Sequence, residues 1–167
     1  MSPIRIISEK VNIEIRRAEL KDTDQIRFLF RDTVVSINSA DYKEEEIKVW
    51  SEFHKNKEGW ERVITEQYFL VAVKNGLISG FSSITEKGYL DFMYVHKDYQ
   101  RLGIAEKLLN ETEVYARKLY LNKIYSYVSK TAVPFFEKKG FIKTGEVINK
   151  VKNIEFINSV MTKEFHY

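Results

Sequence analysis

The sequence predicts an α/β (α+β) domain with a mixed, mostly antiparallel central sheet and helices on both faces. Three patterns lead there. Tyr68 to Val95 reads as a three-strand meander. Its apolar runs are separated by Asn75-Gly76, a strong hairpin signal, and by Glu86-Lys87-Gly88. Tyr89 to Val128 reads as strand, tight loop, helix, strand, an order that implies a parallel crossover. Segments with helical spacing of apolar residues precede and follow these stretches.

The elements follow in order. Met1 to Lys10 reads as an irregular N-terminal extension, or as one carrying a short edge strand over Ile4 to Ile7; residues 11–167 form a single domain. Val11 to Arg17 alternates apolar and polar residues and is a strand. Lys21 to Asp24 opens a helix whose inward face is Ile26, Leu29, Phe30, Thr33 and Val34. Ser36 to Asp41 is a polar break, and a second helix runs from Lys43 to Phe53. Its acidic start, Glu44 to Glu46, complements the helix dipole. His54 to Glu58 is a charged loop, and Gly59 to Thr65 fits either a short helix or irregular chain. Tyr68 to Lys74, Leu77 to Thr85 and Tyr89 to Val95 are the meander strands, and Lys123 to Val128 is a fifth strand. Thr131 to Lys139 is a short helix with Pro134 in its first turn, closed by Gly140. Phe141 to Thr144 and Ile154 to Phe165 form a terminal antiparallel pair across a loop from Gly145 to Asn153.

Composition bounds the function. The 167 residues supply 11 Phe, 10 Tyr and 2 Trp, ample volume for one core. With 27 Lys+Arg against 24 Asp+Glu, the charge is too balanced to argue for nucleic acid or a membrane surface as partner. The absence of cysteine excludes disulfides, thiolate catalysis and Cys-ligated metals. His54, His96 and His166 are scattered, so no metal site is expected. No apolar run approaches a membrane span, and a cytoplasmic location is the expectation.

The stretch from Tyr89 to Lys118 organises the rest. After the strand, His96 to Tyr99 is a polar connector, and Gln100-Arg101-Leu102-Gly103-Ile104-Ala105 opens the helix. Apolar or small residues then recur at Leu108, Leu109, Thr112, Tyr115, Ala116 and Leu119. A helix start carries unpartnered N–H groups and partial positive charge, which suits phosphate. Gly103 lets the backbone approach a ligand closely, and Arg101 adds a forked cation. The bland reading makes Gly103 a turn residue and Arg101 a solvated charge. The string [QR]-x-x-G-x-[GA] is weak alone, since with Gly near ~7% of residues it arises by chance in roughly one such chain in six. Its setting between a buried strand and an amphipathic helix adds weight.

On these residues the chain resembles the GNAT superfamily of acyl-CoA-dependent N-acetyltransferases, over about Val11 to Phe165. Gln100 to Ala105 matches the family's pyrophosphate loop, placed correctly after Met93-Tyr94-Val95. Pro134-Phe135-Phe136-Glu137-Lys138-Lys139-Gly140-Phe141 resembles the family's Phe-Tyr-Glu-Lys-x-Gly-Phe segment. The resemblance implies a GNAT-like fold and acetyl-CoA as acyl donor. It implies that the amides of Arg101 to Ala105, with Gln100 beside them, hold the pyrophosphate. Met93, Tyr94 and Val95 would pair with the pantetheine arm as an extra strand, and an amide near Tyr94 would stabilise the tetrahedral oxyanion. Ser129, Phe135, Phe136 and Lys138 would lie along the cofactor's far side. The acceptor is a small-molecule or peptide amine, and a homodimer is common in such folds.

Attack on the acyl group needs a neutral amine, and a lysine-like amine with a pKa near ~10.4 is almost wholly protonated at neutral pH. Asp91 is the candidate base, because it interrupts an apolar strand near the presumed reaction centre; the bland alternative is an exposed or ion-paired carboxylate. His96 sits in the connector and reads as a solvated turn residue. Phe136 stands where many family members have an acidic tyrosine. Either Tyr127 protonates the leaving sulfur, or none is needed, since a thiol of pKa about 8.5 leaves tolerably as thiolate. The missing hydroxyl also keeps open a non-catalytic acyl-CoA-binding module. Acceptor specificity is assigned to Val34 to Phe53, where Trp50, Phe53 and Trp60 could line an apolar wall, although core packing is the commoner role for a residue such as Trp50.

Overall fold

The computed structural model describes residues 12–167; the extension or edge strand expected over Met1 to Lys10, and the expected strand start at Val11, lie outside them. Strand β1 (Glu14–Arg17) and helix α1 (Thr23–Ser36) are followed by α2 (Glu44–Ser51) and α3 (Lys57–Glu66). The meander is β2 (Tyr68–Lys74), β3 (Leu77–Ile84) and β4 (Leu90–Val95). Then come α4 (Ile104–Lys118), β5 (Lys123–Val128), α5 (Val133–Lys138), β6 (Ile142–Val151) and β7 (Ile154–Glu164).

The inward face expected for α1 is buried as read: Ile26, Leu29, Phe30, Thr33 and Val34. Helices α1 and α3 cover one side of β2 and β3 through Phe30, Trp60, Phe69 and Phe81, all essentially without solvent contact. Helix α4 covers the other side through Ile104 and Leu108 against Leu70 and Ala72. Gly59 to Thr65, open in the sequence, lies inside α3, capped by Asn56 Oδ1 accepting from the Gly59 amide at 3.0 Å. Trp60 is fully buried at the centre of this aromatic core, its ring 4.9 Å from Phe92 and 5.1 Å from Phe30. It therefore takes no part in the cleft wall where the sequence reading put it.

The central sheet is not continuous. Strands run β1-β2-β3-β4 in one antiparallel sheet and β5-β7-β6 in another. The two meet at the start of β4, through a parallel bridge between Tyr89 and Tyr125. There the Tyr125 amide donates to Gly88 O at 3.0 Å and Ser126 Oγ donates to Leu90 O at 2.8 Å. Beyond that apex β4 and β5 separate. The register between β3 and β4 steps from Ser83↔Phe92 to Ile84↔Leu90, which leaves Asp91 as an extra residue. Such a bulge bends its strand, which suits the departure of β4 from β5.

The terminal hairpin corrects the sequence reading. Gly145 to Asn153 is not a loop: β6 continues to Val151, and the turn is only Lys152-Asn153, with φ +47° and +67°. Two residues with positive φ form the turn that matches strand twist. Gly145 sits at a register shift in the β6–β7 ladder rather than at a strand end. Strand β6 is solvated along most of its length, so burial leaves little alternating imprint on its sequence.

Candidate active site

The connector after β4 is shaped by backbone conformation. Arg101 has φ +61° and Gly103 φ +79°. Gly103 is the residue before the first turn of α4, so the helix starts at Ile104 and not at Gln100. A Cβ added at Gly103 would meet nothing within 4 Å. Among the described residues, the amides of Gly103, Ile104, Ala105 and Glu106 donate to no protein group, and the first bond of the helix is Lys107 N–H to Gly103 O at 3.1 Å. Open space over unpartnered donors at a helix start fits a phosphate. Gln100 works differently: its Nε2 donates to Val95 O at 2.7 Å and pins the connector to β4. Leu102 is 41% exposed and stands outside the cleft lining.

Strand β4 presents its free groups to the opening. The His96 amide donates to Ser79 O at 2.8 Å, and the register pairs Tyr94 with Phe81. By the alternation of an antiparallel ladder, the Tyr94 amide is committed to Phe81, while those of Met93 and Val95 face away from β3. The amide expected near Tyr94 is thus that of a neighbour. Val95 O is already occupied, by Gln100 and by Thr33 Oγ1 donating at 2.9 Å from α1.

Asp91 is half-buried at the cavity wall and, among the described residues, is in no ion pair. Its Oδ2 accepts from Gln67 Nε2 at 2.8 Å, at the residue that ends α3. Burial pushes the Asp91 carboxyl above its ordinary value, and the Gln67 hydrogen bond pulls it part of the way back. Burial likewise pushes the Tyr89 and Tyr94 phenols up. His96 Nδ1 accepts from the Asp98 amide at 3.0 Å, a turn role as expected.

One cavity of about 1060 Å³ joins these features. Of the predicted residues it is lined by Asp91, Met93, Tyr94, Val95, Gln100, Arg101, Gly103, Ile104, Ala105, Tyr127, Ser129, Phe135, Phe136 and Lys138. Tyr127 is 43% exposed, its ring 5.0 Å from Tyr89. Phe136 is 2% exposed and packs edge-on against Phe141 at 5.0 Å, so its hydrocarbon ring serves the core under α5. Sequence reasoning missed Tyr89, Phe156 and Asn158, which also line the cavity, and it did not single out Tyr42 within the Val34 to Phe53 stretch. Tyr42 Oη accepts from the Lys130 amide at 2.9 Å, joining the chain before α2 to the loop before α5. Only Tyr89, beside the β4 motif, carried a usable local signal; the others arrive from distant segments.

The family model for the acetyltransferase (GNAT) domain matches residues 38–165. A curated relative from Escherichia coli (strain K12), the uncharacterized N-acetyltransferase YafP, is 30% identical over 130 residues, 78% of this chain and 81% of that protein. A GCN5-related N-acetyltransferase from Rhodopseudomonas palustris superposes with a TM-score of 0.88 at 22% identity, over 91% of this chain and 95% of that one. PaiA N-acetyltransferase from Thermoplasma acidophilum, solved with coenzyme A, superposes with a TM-score of 0.76 at 23% identity, over 92% and 99%. The chain belongs to the GNAT acetyltransferase family, as an N-acetyltransferase. No helix among the described residues is long and apolar enough to cross a membrane.

Proposed function

We propose that this cleft transfers an acetyl group from acetyl-CoA directly to an amine, with Asp91 as proton acceptor. The observation that carries the reading is the convergence, in one cavity, of the free amides at the start of α4, the outward amides of Met93 and Val95, and the Asp91 carboxylate. The donor supplies an activated thioester. The amides of Gly103 to Glu106, with Arg101, hold its diphosphate. Lys138, Ser129 and Phe135 bound the opposite wall. The Met93 or Val95 amide donates to the oxygen on which negative charge develops.

Asp91 performs the proton chemistry. An ammonium with a pKa near ~10.4 and a carboxylate in water are badly matched. Burial raises the carboxyl and would lower the ammonium, so both move toward neutrality together. Asp91 takes one proton, directly or through a water, and frees the nitrogen lone pair. The new C–N bond forms, the nitrogen gives up its second proton to solvent, the C–S bond breaks, and the sulfur departs with the electron pair. It is protonated by solvent or by Tyr127, which stands at the cleft wall. Phe136 has no proton to give.

The test is release of free thiol from acetyl-CoA over a panel of amines, amino acids and peptides. Acceptor-dependent release supports the reading. Saturable CoA binding with no release above the acceptor-free rate would leave an acyl-CoA-binding module instead.

A further inference from the structure

The two halves of the cavity differ in charge. The lining cations, Arg101, Lys138 and Lys139, all belong to the connector before α4 and to the α5 segment, on the side of the free helix amides. Lys139 is paired there with Glu106 at 2.8 Å. The other half is built from α1, α2, β4 and the β6–β7 hairpin. Among the described residues its lining holds no Lys or Arg, and its one carboxylate is Asp91. Lys130 lies close by, its ammonium 5.1 Å from the Tyr42 ring centroid, but is not part of the lining.

That half is walled by aromatic rings. Tyr42 and Trp50 meet edge-on at 5.2 Å, and Trp50 meets Phe156 of the hairpin at 6.4 Å. Phe53 and Phe92 lie parallel at 6.3 Å. Ile37, Val49 and Val147 add aliphatic side chains to the lining. Rings favour edge-to-face and offset contact with another ring, and their faces attract an ammonium. A carboxylate or phosphate on the acceptor would find no lining cation there and would lie beside the Asp91 carboxylate without a partner.

Resting on the transferase reading above, we propose that the acceptor is a hydrophobic monoamine: an amine on an aromatic body, with no carboxylate or phosphate of its own. The amine faces Asp91 and the ring lies among Tyr42, Trp50 and Phe156.

The experiment compares acceptors that differ by one group. With the full chain and acetyl-CoA, kcat/KM is measured for 2-phenylethylamine, phenylalanine, spermidine and a dipeptide amide with N-terminal phenylalanine. 2-Phenylethylamine is expected to exceed phenylalanine by about 10²-fold or more, because the added carboxylate is buried unpaired. Trp50→Leu is expected to raise KM for 2-phenylethylamine about tenfold while CoA affinity stays at the parent value. Equal or better use of phenylalanine, spermidine or the dipeptide amide would overturn the acceptor class and leave the transferase reading standing. If no acceptor is turned over, calorimetric titration of 2-phenylethylamine into the CoA-loaded protein decides. Saturable binding that Trp50→Leu weakens keeps the site's ligand class and removes the transferase reading; no binding removes the class.

Discussion

Replacing Gly103 by glutamate tests the diphosphate placement and separates it from folding. Gly103 has φ +79° and ψ +12°, and its Cβ direction is open for 4 Å. A side chain there therefore meets no protein atom, and the penalty is conformational, about 1–2 kcal/mol for an L residue in the left-handed region. A carboxylate at a helix start recovers about 0.3–1 kcal/mol from the dipole. The net loss of about 1 kcal/mol lowers Tm by about 2–4 °C for a domain of this size. Binding responds more strongly. A carboxylate about 5 Å from each phosphate charge costs about 1 kcal/mol in water-like surroundings and about 3 kcal/mol at an effective dielectric of 20. Over the two charges of a diphosphate that amounts to a loss of about 30-fold in CoA affinity at the first limit and about 10⁴-fold at the second. Gly103→Ala shares the backbone strain without the charge and isolates it. Calorimetric titration of CoA at two ionic strengths reads the effect, which weakens in high salt. Unchanged CoA affinity in the glutamate variant, at a Tm within the stated range, would refute the placement of the diphosphate on the first turn of α4.

Further perturbations address the chemistry and the frame. Asp91→Asn is expected to lower kcat by about 10²–10⁴-fold. The parent's kcat/KM falls as pH drops through the raised Asp91 pKa, a limb the variant lacks. The sign for stability is opposite to that of an ion-paired carboxylate. Because the folded-state pKa is raised, stability is lost as pH rises from the unfolded toward the folded value, so thermal melts at neutral pH are expected to show no loss for Asp91→Asn. Gln67→Met removes the hydrogen bond that lowers the Asp91 pKa, so the acid limb of the rate profile moves to higher pH. Gly80→Ala puts a methyl 2.8 Å from Ile104 Cγ2 and 3.0 Å from Tyr94 O. Denaturant unfolding is expected to report a loss of about 1–3 kcal/mol from overpacking, with weaker CoA binding as α4 is pushed off β3. Tyr127→Phe lowers kcat by less than about tenfold if the thiolate leaves unaided.

The differences between sequence and structure have specific causes. The α1 face, the Asn75-Gly76 hairpin, the connector to α4 and the Gly140 stop were legible because neighbouring residues carry the signal: helical periodicity, turn chemistry, a cap. Trp60 and Trp50 look alike in sequence, yet one is the centre of the core and the other a cleft wall. The difference follows from α3 packing flat on β2 and β3 while α2 reaches the β6–β7 hairpin. The part of β6 beyond Thr144 escaped notice because the strand is exposed along most of its length, and Gly145 marks a register shift rather than a loop.

From the sequence alone came the fold class, the helix start suited to an anion, and Asp91 as an acid group out of place in an apolar strand. These depend on residues a few positions apart. The tertiary structure decided the opening between β4 and β5, the choice of Met93 and Val95 over Tyr94 as free donors, and the aromatic half of the cavity that no lining cation enters. Each of these depends on which partner occupies a backbone lone pair or a wall of space, and those partners lie tens of residues away along the chain.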